Sequence, residues 1–305
     1  MKIAGLLLTL VLLLSSVITA KLQTDSVSTD STLVSPDKAD STETSDFKPD
    51  TIPRILDRKI IHDAFQPGEK LTFTVRYGFI KAGEATMAVE EIVSINDRNA
   101  YKFVTSARSA RSFDWFFKVR DKVQSWVDTK GMFSWKYIKS LREGGYKFDL
   151  IVDYDQYYGN ARVQEIRYED EEPLRIRDQK EFDLPIPIYV LDVLGSFYYV
   201  RTQPLRVGVP LYITNHDNAK VYDLKVIVQK RETIEVSAGK FRCLVVEPQL
   251  RGDAVFKQKG RLWVWITDDQ YKLPVQMKSA VFVGSITSEL KKIEGIPLPL
   301  PSQLK

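Results

Sequence analysis

The residue types that carry most covalent and acid–base chemistry are scarce in this 305-residue chain: two histidines, His62 and His216, and one cysteine, Cys243. A nucleophile needs a base beside it, and a transition-metal site needs several His or Cys ligands. Neither histidine stands at such a spacing. His62 precedes the first strand-like run, and His216 lies in Asn215-His216-Asp217-Asn218, whose residue types read as a surface turn. Cys243 sits in Phe241-Arg242-Cys243-Leu244-Val245-Val246, an apolar setting that predicts a buried, inert thiol, and a lone cysteine makes no internal disulfide. The sequence has no Gly-x-Ser-x-Gly elbow, no glycine-rich phosphate loop, no His-x-x-x-His and no Cys-x-x-Cys.

Carboxylates are the remaining candidates. Acidic groups occur at Glu90-Glu91, Asp268-Asp269 and Glu169-Asp170-Glu171-Glu172. Glycoside hydrolysis requires two carboxylates facing each other across a cleft, a separation that sequence does not specify. These acids fall at strand ends and turns, where solvation accounts for them. The expectation is a protein that is not an enzyme and has no cofactor or bound metal.

Aromatic clusters offer binding instead. In Arg261-Leu262-Trp263-Val264-Trp265-Ile266, strand geometry points Leu262, Val264 and Ile266 one way and Trp263 and Trp265 the other. Such a strand is either sandwiched between layers or forms a Trp-lined wall of a hydrophobic groove. Ser112 to Phe117 places four aromatics in five positions behind a candidate N-cap. It reads as a short helical strap, either plugging an open barrel or forming a lid or membrane-touching tip, and the tip predicts an accessible Trp115. Tyr77-Gly78-Phe79-Ile80-Lys81-Ala82-Gly83 reads as a bulged hairpin corner that a ligand could approach. The candidate ligand-binding residues are therefore Tyr77, Trp115, Tyr198, Trp263 and Trp265. Arg201 joins them as a head-group contact, because its planar fork pairs with phosphate or carboxylate.

These side chains need a scaffold, and period-two alternation supplies it. Leu71, Phe73, Val75 and Tyr77 alternate with Thr72, Thr74 and Arg76; Tyr146, Phe148, Leu150, Val152 and Tyr154 repeat the pattern. Turn residues punctuate the runs at Gln66-Pro67-Gly68, Asn96-Asp97-Arg98-Asn99, Glu143-Gly144-Gly145 and Tyr158-Gly159-Asn160. On the order of a dozen strands are expected at normal strand lengths. One stretch changes period: Val190, Val193, Leu194, Phe197 and Val200 predict a helix over 190–201 with Asp192 in its first turn. The expected fold is mainly β, a large antiparallel curled sheet or open β-barrel with one or two short helices packed on or in it.

The flanks are organised differently. Residues 1–20 combine Lys2, the apolar run Leu6 to Leu14 and a small residue at position 20, which predicts a secretory signal; the run is too short to span a bilayer. The only cysteine lies far from it, so no lipid-anchoring signal is expected. Residues 21–54 predict a disordered acidic leader rich in Ser and Thr, and 55–296 a single β-domain with halves at 55–183 and 184–296. Residues 297–305 predict a Pro-rich extended tail outside the ladder. The whole chain carries a formal charge of +4, spread without a Lys/Arg block. Nucleic acid is therefore not an expected partner, whereas an anionic membrane surface remains compatible. The expected location is the periplasm or the exterior, with no integral span.

Pro67 to Gly83, Val119-Arg120-Asp121, Asp192 to Arg201, Val236 to Cys243 and the segment from Lys259-Gly260-Arg261-Leu262 to Pro274-Val275 together resemble the exported bacterial proteins of domain of unknown function 3108. The resemblance implies a periplasmic β-barrel-like protein with no assigned reaction. By fold-level analogy, the layout is similar to periplasmic carriers that hand lipoproteins to the outer membrane. The expected partner is thus a lipid or other hydrophobic envelope component. The alternatives are an assembly factor that binds another envelope protein by a strand edge, and a carbohydrate binder or hydrolase.

Overall fold

The structure, a computed structural model, describes residues 49–217, 220–250, 262–280 and 285–305. The expected signal and the leader up to residue 48 lie outside the described residues.

Alternation becomes strands throughout. In β1 (Lys70–Tyr77) Leu71, Phe73 and Val75 are buried while Thr72 and Arg76 are half-buried. A meander follows through β2 (Ile80–Ile95), β3 (Arg98–Ser109), β4 (Arg120–Asp128), β5 (Ser134–Glu143), β6 (Tyr146–Asp155), β7 (Asn160–Tyr168) and β8 (Ile176–Pro185). A short helix, α1 (Arg111–Asp114), interrupts it between β3 and β4. After β9 (Leu191–Asp192) and helix α2 (Val193–Thr202), a second meander runs through β10 (Pro210–Asp217), β11 (Lys220–Val236), β12 (Gly239–Leu250), β13 (Leu262–Thr267), β14 (Pro274–Ala280) and β15 (Ser285–Glu294).

The two runs share one sheet. β1 pairs with β15 from Lys70↔Glu294 to Tyr77↔Ile286, giving the order β8 through β1, then β15 down to β9. The path has two ends, β8 and β9, so the sheet is curled and open rather than closed. Among the described residues sixteen strands form, more than the dozen expected, and two of them have only two residues. The second of these, β16 (Gln303–Leu304), pairs with Lys240 and Phe241 of β12. The Pro-rich tail therefore ends in the ladder, contrary to expectation, because Leu300 is buried and Arg242 N–H donates to the Ser302 carbonyl at 3.0 Å.

The central helix starts three residues later than its apolar periodicity suggests. Leu191 and Asp192 pair in parallel with Asn215 and His216 of β10, which keeps the chain extended through 192. Asp192 is then the N-cap rather than a first-turn residue, its Oδ1 accepting from Gly195 N–H at 2.7 Å. Gly195 lets α2 approach β4 closely, since a Cβ there would sit 3.0 Å from the Val127 side chain. The strap also differs in detail: Ala110, not Ser112, occupies the N-cap of α1, without a side-chain bond. Residues 49–54 of the expected leader are held to the sheet, with Arg54 N–H donating to the Tyr157 carbonyl at 2.8 Å and Arg54 Nη1 to the Ile186 carbonyl at 2.8 Å.

Candidate functional site

One side of α2 fills the sheet's interior. Tyr198 is fully buried and stacks on Phe103 with ring centroids 3.7 Å apart, while Phe65 meets it edge-on at 5.2 Å. Arg201 lies beside these rings, 5.2 Å from the centroids of both Phe65 and Tyr198. Its guanidinium donates to both oxygens of buried Glu69 at 2.6 and 2.8 Å, to the Ala64 carbonyl at 2.9 Å and to the Tyr271 carbonyl at 3.1 Å. Arg201 is therefore not a head-group contact: its fork is committed to an internal carboxylate. Tyr198 is likewise core filling rather than a groove wall.

The opposite side of α2 leaves an apolar cleft. Val193, Phe197 and Val200 face Leu224 and Val226 of β11, Val246 and Pro248 of β12, and Leu262, Val264 and Ile266 of β13. The cleft is partly open and small, about 60 Å³. Period-two geometry chose the wall: the aliphatic set of β13 looks toward α2, and Trp263 and Trp265 lie on the other face. The two tryptophans are therefore corrected as wall residues. Both are half-buried, and Trp265 Nε1 donates to Glu232 Oε2 at 2.7 Å.

The strap is not a plug. Phe113 and Phe117 pack against the core, whereas Trp115 is 84% exposed and Phe116 57% exposed. Asp114 and Arg120 fasten the strap through a bond of 2.6 Å, and Gly144 N–H donates to the Lys118 carbonyl at 2.8 Å. Tyr77 is half-buried against the core at the end of β1, next to the hairpin turn where Gly78 takes φ 56°. Thus the six sequence candidates are not brought together at one place.

Sequence reasoning missed a buried polar network between the two runs of strands. Asp192 Oδ2 accepts from Ser125 Oγ at 2.6 Å and Ser134 Oγ at 2.5 Å. Lys139 pairs with Asp217 at 3.3 Å, both buried. His216 is not in a surface turn but buried in β10, where its Nδ1 hydrogen-bonds the Tyr154 hydroxyl at 2.9 Å. Asp121 and Glu143 form a buried carboxyl pair on β4 and β5. Burial pushes Asp121 up to about 6; burial, and then the Asp121 charge, push Glu143 up to about 9. The signal was available: Asp121, Ser125, Lys139 and Glu143 occupy inward positions of otherwise alternating strands.

At the opposite end of the sheet an open depression of about 780 Å³ is lined by Asn96, Asp153, Asp155, Tyr157, Tyr158 and Arg162 among others. Two of its three acids are occupied locally: Lys136 pairs with Asp153 at 2.8 Å, and Asp155 accepts from Tyr158 N–H at 3.0 Å. Among the described residues, no cluster of three or more His, Cys, Asp or Glu side chains is placed to hold a metal, and no helix is long and apolar enough to cross a membrane.

A curled, open antiparallel sheet wound around one capped helix, with an apolar cleft on that helix's outer side, defines a β-barrel-like class of protein. Within it, the chain belongs to the family described as Protein of unknown function (DUF3108), which it matches over residues 72–291. No curated protein matches the chain. Among solved structures it is similar to a β-barrel-like protein of domain of unknown function DUF1849 from Brucella abortus, at 9% identity and a TM-score of 0.45 over 78% of this chain and 98% of that one. A candidate lipoprotein from Parabacteroides distasonis aligns at 10% identity and a TM-score of 0.33, covering 78% of this chain and 99% of that one. A candidate exported protein with a YmcC-like fold from Bacteroides fragilis aligns at 9% and 0.32, covering 77% and 99%.

Proposed function

We propose that this chain is a non-enzymatic protein of the bacterial envelope, acting outside the cytoplasm, that receives one apolar chain in the cleft between α2 and strands β11–β13. The carrying observation is the lining, in which aliphatic and aromatic side chains from one helix and three strands converge and, among the described residues, the polar liners are Ser196 and Arg201. Both are already engaged, Ser196 Oγ accepting from Asn215 Nδ2 at 2.5 Å and Arg201 by Glu69. A polar ligand would find no partners there, whereas an acyl chain or an apolar peptide side chain would leave water at about 0.8 kcal/mol per CH₂ buried. The apolar N-terminal segment supports export.

The test is native mass spectrometry of the full chain purified from its own cells, alongside Val200→Trp, which fills the cleft from a half-buried lining position. An adduct of lipid size, lost in the variant while the melting temperature holds, is the expected result. A bare mass, or an adduct that survives the substitution, overturns the reading.

A further inference from the structure

Strand register places several connections at one end of the sheet. Gly83 pairs with Ser109, and Ala110 N–H donates to the Ala82 carbonyl at 2.8 Å, so the β1–β2 turn and the strap between β3 and β4 are neighbours. They carry Phe79 (91% exposed), Ile80 (46%), Trp115 and Phe116. Single exposed apolar residues need no explanation, but four large ones on adjoining connections do. The strap is no frayed loop: Phe113 and Phe117 anchor it to the core, and Asp114 is bound to Arg120 and Ser109. The two outward rings, Trp115 and Phe116, 6.1 Å apart, are thus held in water by a fixed backbone.

Among the described residues, exposed cations predominate around the tip. Lys81, Arg108, Arg111, Lys118 and Lys122 are exposed around the tip. Among the described residues the last four make no ion pair, and Lys81 reaches only Glu84, at 3.6 Å, which Lys291 also holds at 2.8 Å. Asp114 is neutralised by Arg120. The acids on the β7–β8 connection at this end of the sheet are Glu169 to Glu172, of which Asp170, Glu171 and Glu172 pair with Lys147 and Arg175.

The geometry points to this end of the sheet as a docking surface for an anionic lipid bilayer. Phe79, Trp115 and Phe116 enter the headgroup boundary, and Lys81, Arg108, Arg111 and Lys118 meet the lipid phosphates. Projecting aromatic tips ringed by unpaired cations suit a bilayer interface; the core of a protein–protein contact is depleted of charge, and lysine is depleted across such interfaces. The cleft runs to the same end: Leu262 pairs with Ser279 one residue before β14 ends, and Ser285, which pairs with Ala280, lies beside Ile286, the partner of Tyr77. Docking is nonetheless independent of the cleft, because no residue is shared.

The experiment is co-sedimentation of the full chain with vesicles of phosphatidylcholine alone and of phosphatidylcholine mixed with phosphatidylglycerol. It compares wild type with Trp115→Ser/Phe116→Ser, Arg111→Gln, Lys118→Gln and the cleft variant Val200→Trp. All the tip positions are exposed, so melting temperatures should hold and any change in binding is read directly. The expected result is capture by the mixed vesicles only, weakened by salt, about 5-fold weaker for each cation removed, abolished in the aromatic variant and unchanged in Val200→Trp. Equal capture of wild type and tip variants overturns docking, as does a concentration-dependent dimer that Trp115→Ser dissolves, which would make the tip a contact between copies. Failure of the cleft reading leaves this result untouched.

Discussion

Glu69 and Arg201, 132 residues apart in sequence, form a two-pronged ion pair, Nη1 to Oε1 at 2.6 Å and Nη2 to Oε2 at 2.8 Å, with both side chains buried. The same guanidinium donates to carbonyls of Ala64 and Tyr271. One side chain thus ties α2 to the segment entering β1 and to the β13–β14 connection. Desolvating both charges is costly, so the pair acts less as a source of net stability than as a lock on position. Removing one partner is another matter, since it leaves a charge buried alone. Glu69→Ala should cost about 3–5 kcal/mol in urea unfolding, and the apolar double replacement Glu69→Leu/Arg201→Met markedly less. Single and double variants of equal stability would mean that the pair is not desolvated.

Tyr198 offers the opposite case. Its ring stacks on Phe103, but its buried hydroxyl has no hydrogen-bond partner among the described residues. Tyr198→Phe keeps the stack and removes the orphaned group, so it should leave stability unchanged or raise it by up to about 1 kcal/mol. Tyr198→Ala should lose about 3–5 kcal/mol through the cavity left behind. A Tyr198→Phe loss comparable to that of Ala would reveal an ordered partner for the hydroxyl.

Cys243 is buried on β12, and burial pushes its thiol up to about 12. The thiolate is the reactive species, so at neutral pH almost none is present. An Ellman-type reagent should modify the native protein only at the rate of unfolding and react promptly once urea is added. Rapid modification of the folded chain would place the sulfur near solvent.

What the sequence disclosed follows from which physical signals are local. Strands with one dry face announce themselves by period two, and the helix by its Val193, Leu194 and Phe197 spacing; the inert Cys243 was legible from its apolar neighbours. Roles set by partners distant in sequence were not. Arg201 reads as a ligand contact until Glu69 is brought against it, and His216 reads as a turn until β10 runs under Tyr154. Trp263 and Trp265 show the finer limit: alternation separates them from Leu262, Val264 and Ile266, but only the placement of α2 decides which set lines a cleft. The Asp121–Glu143 pair was overlooked because its members are 22 positions apart and neither stands in an acidic run.

That carboxyl pair makes stability depend on pH in a direction opposite to the usual salt-bridged acid. In the unfolded chain both groups ionise near pH 4. In the fold Asp121 holds its proton to about 6 and Glu143 to about 9, chiefly because burial penalises the charged forms. Between the unfolded and folded values the native state binds more protons than the unfolded one, so stability falls as pH rises, by at most about 1.4 kcal/mol per pH unit for each proton. The contribution is complete below about pH 4 and is lost as pH climbs through the folded values, Asp121's part first and Glu143's by about pH 9. Glu143→Gln carries a neutral amide where the wild type must retain a proton, so its stability should pull ahead of wild type progressively from pH 6 to pH 9. Taking the difference between the two proteins cancels the titrating groups that Glu143 does not touch; Asp121, its partner, shifts with it. Parallel urea-stability curves across that range would mean that Glu143 is ionised in the folded protein, with Lys139, which already lies close enough to favour its charge, as the compensating cation.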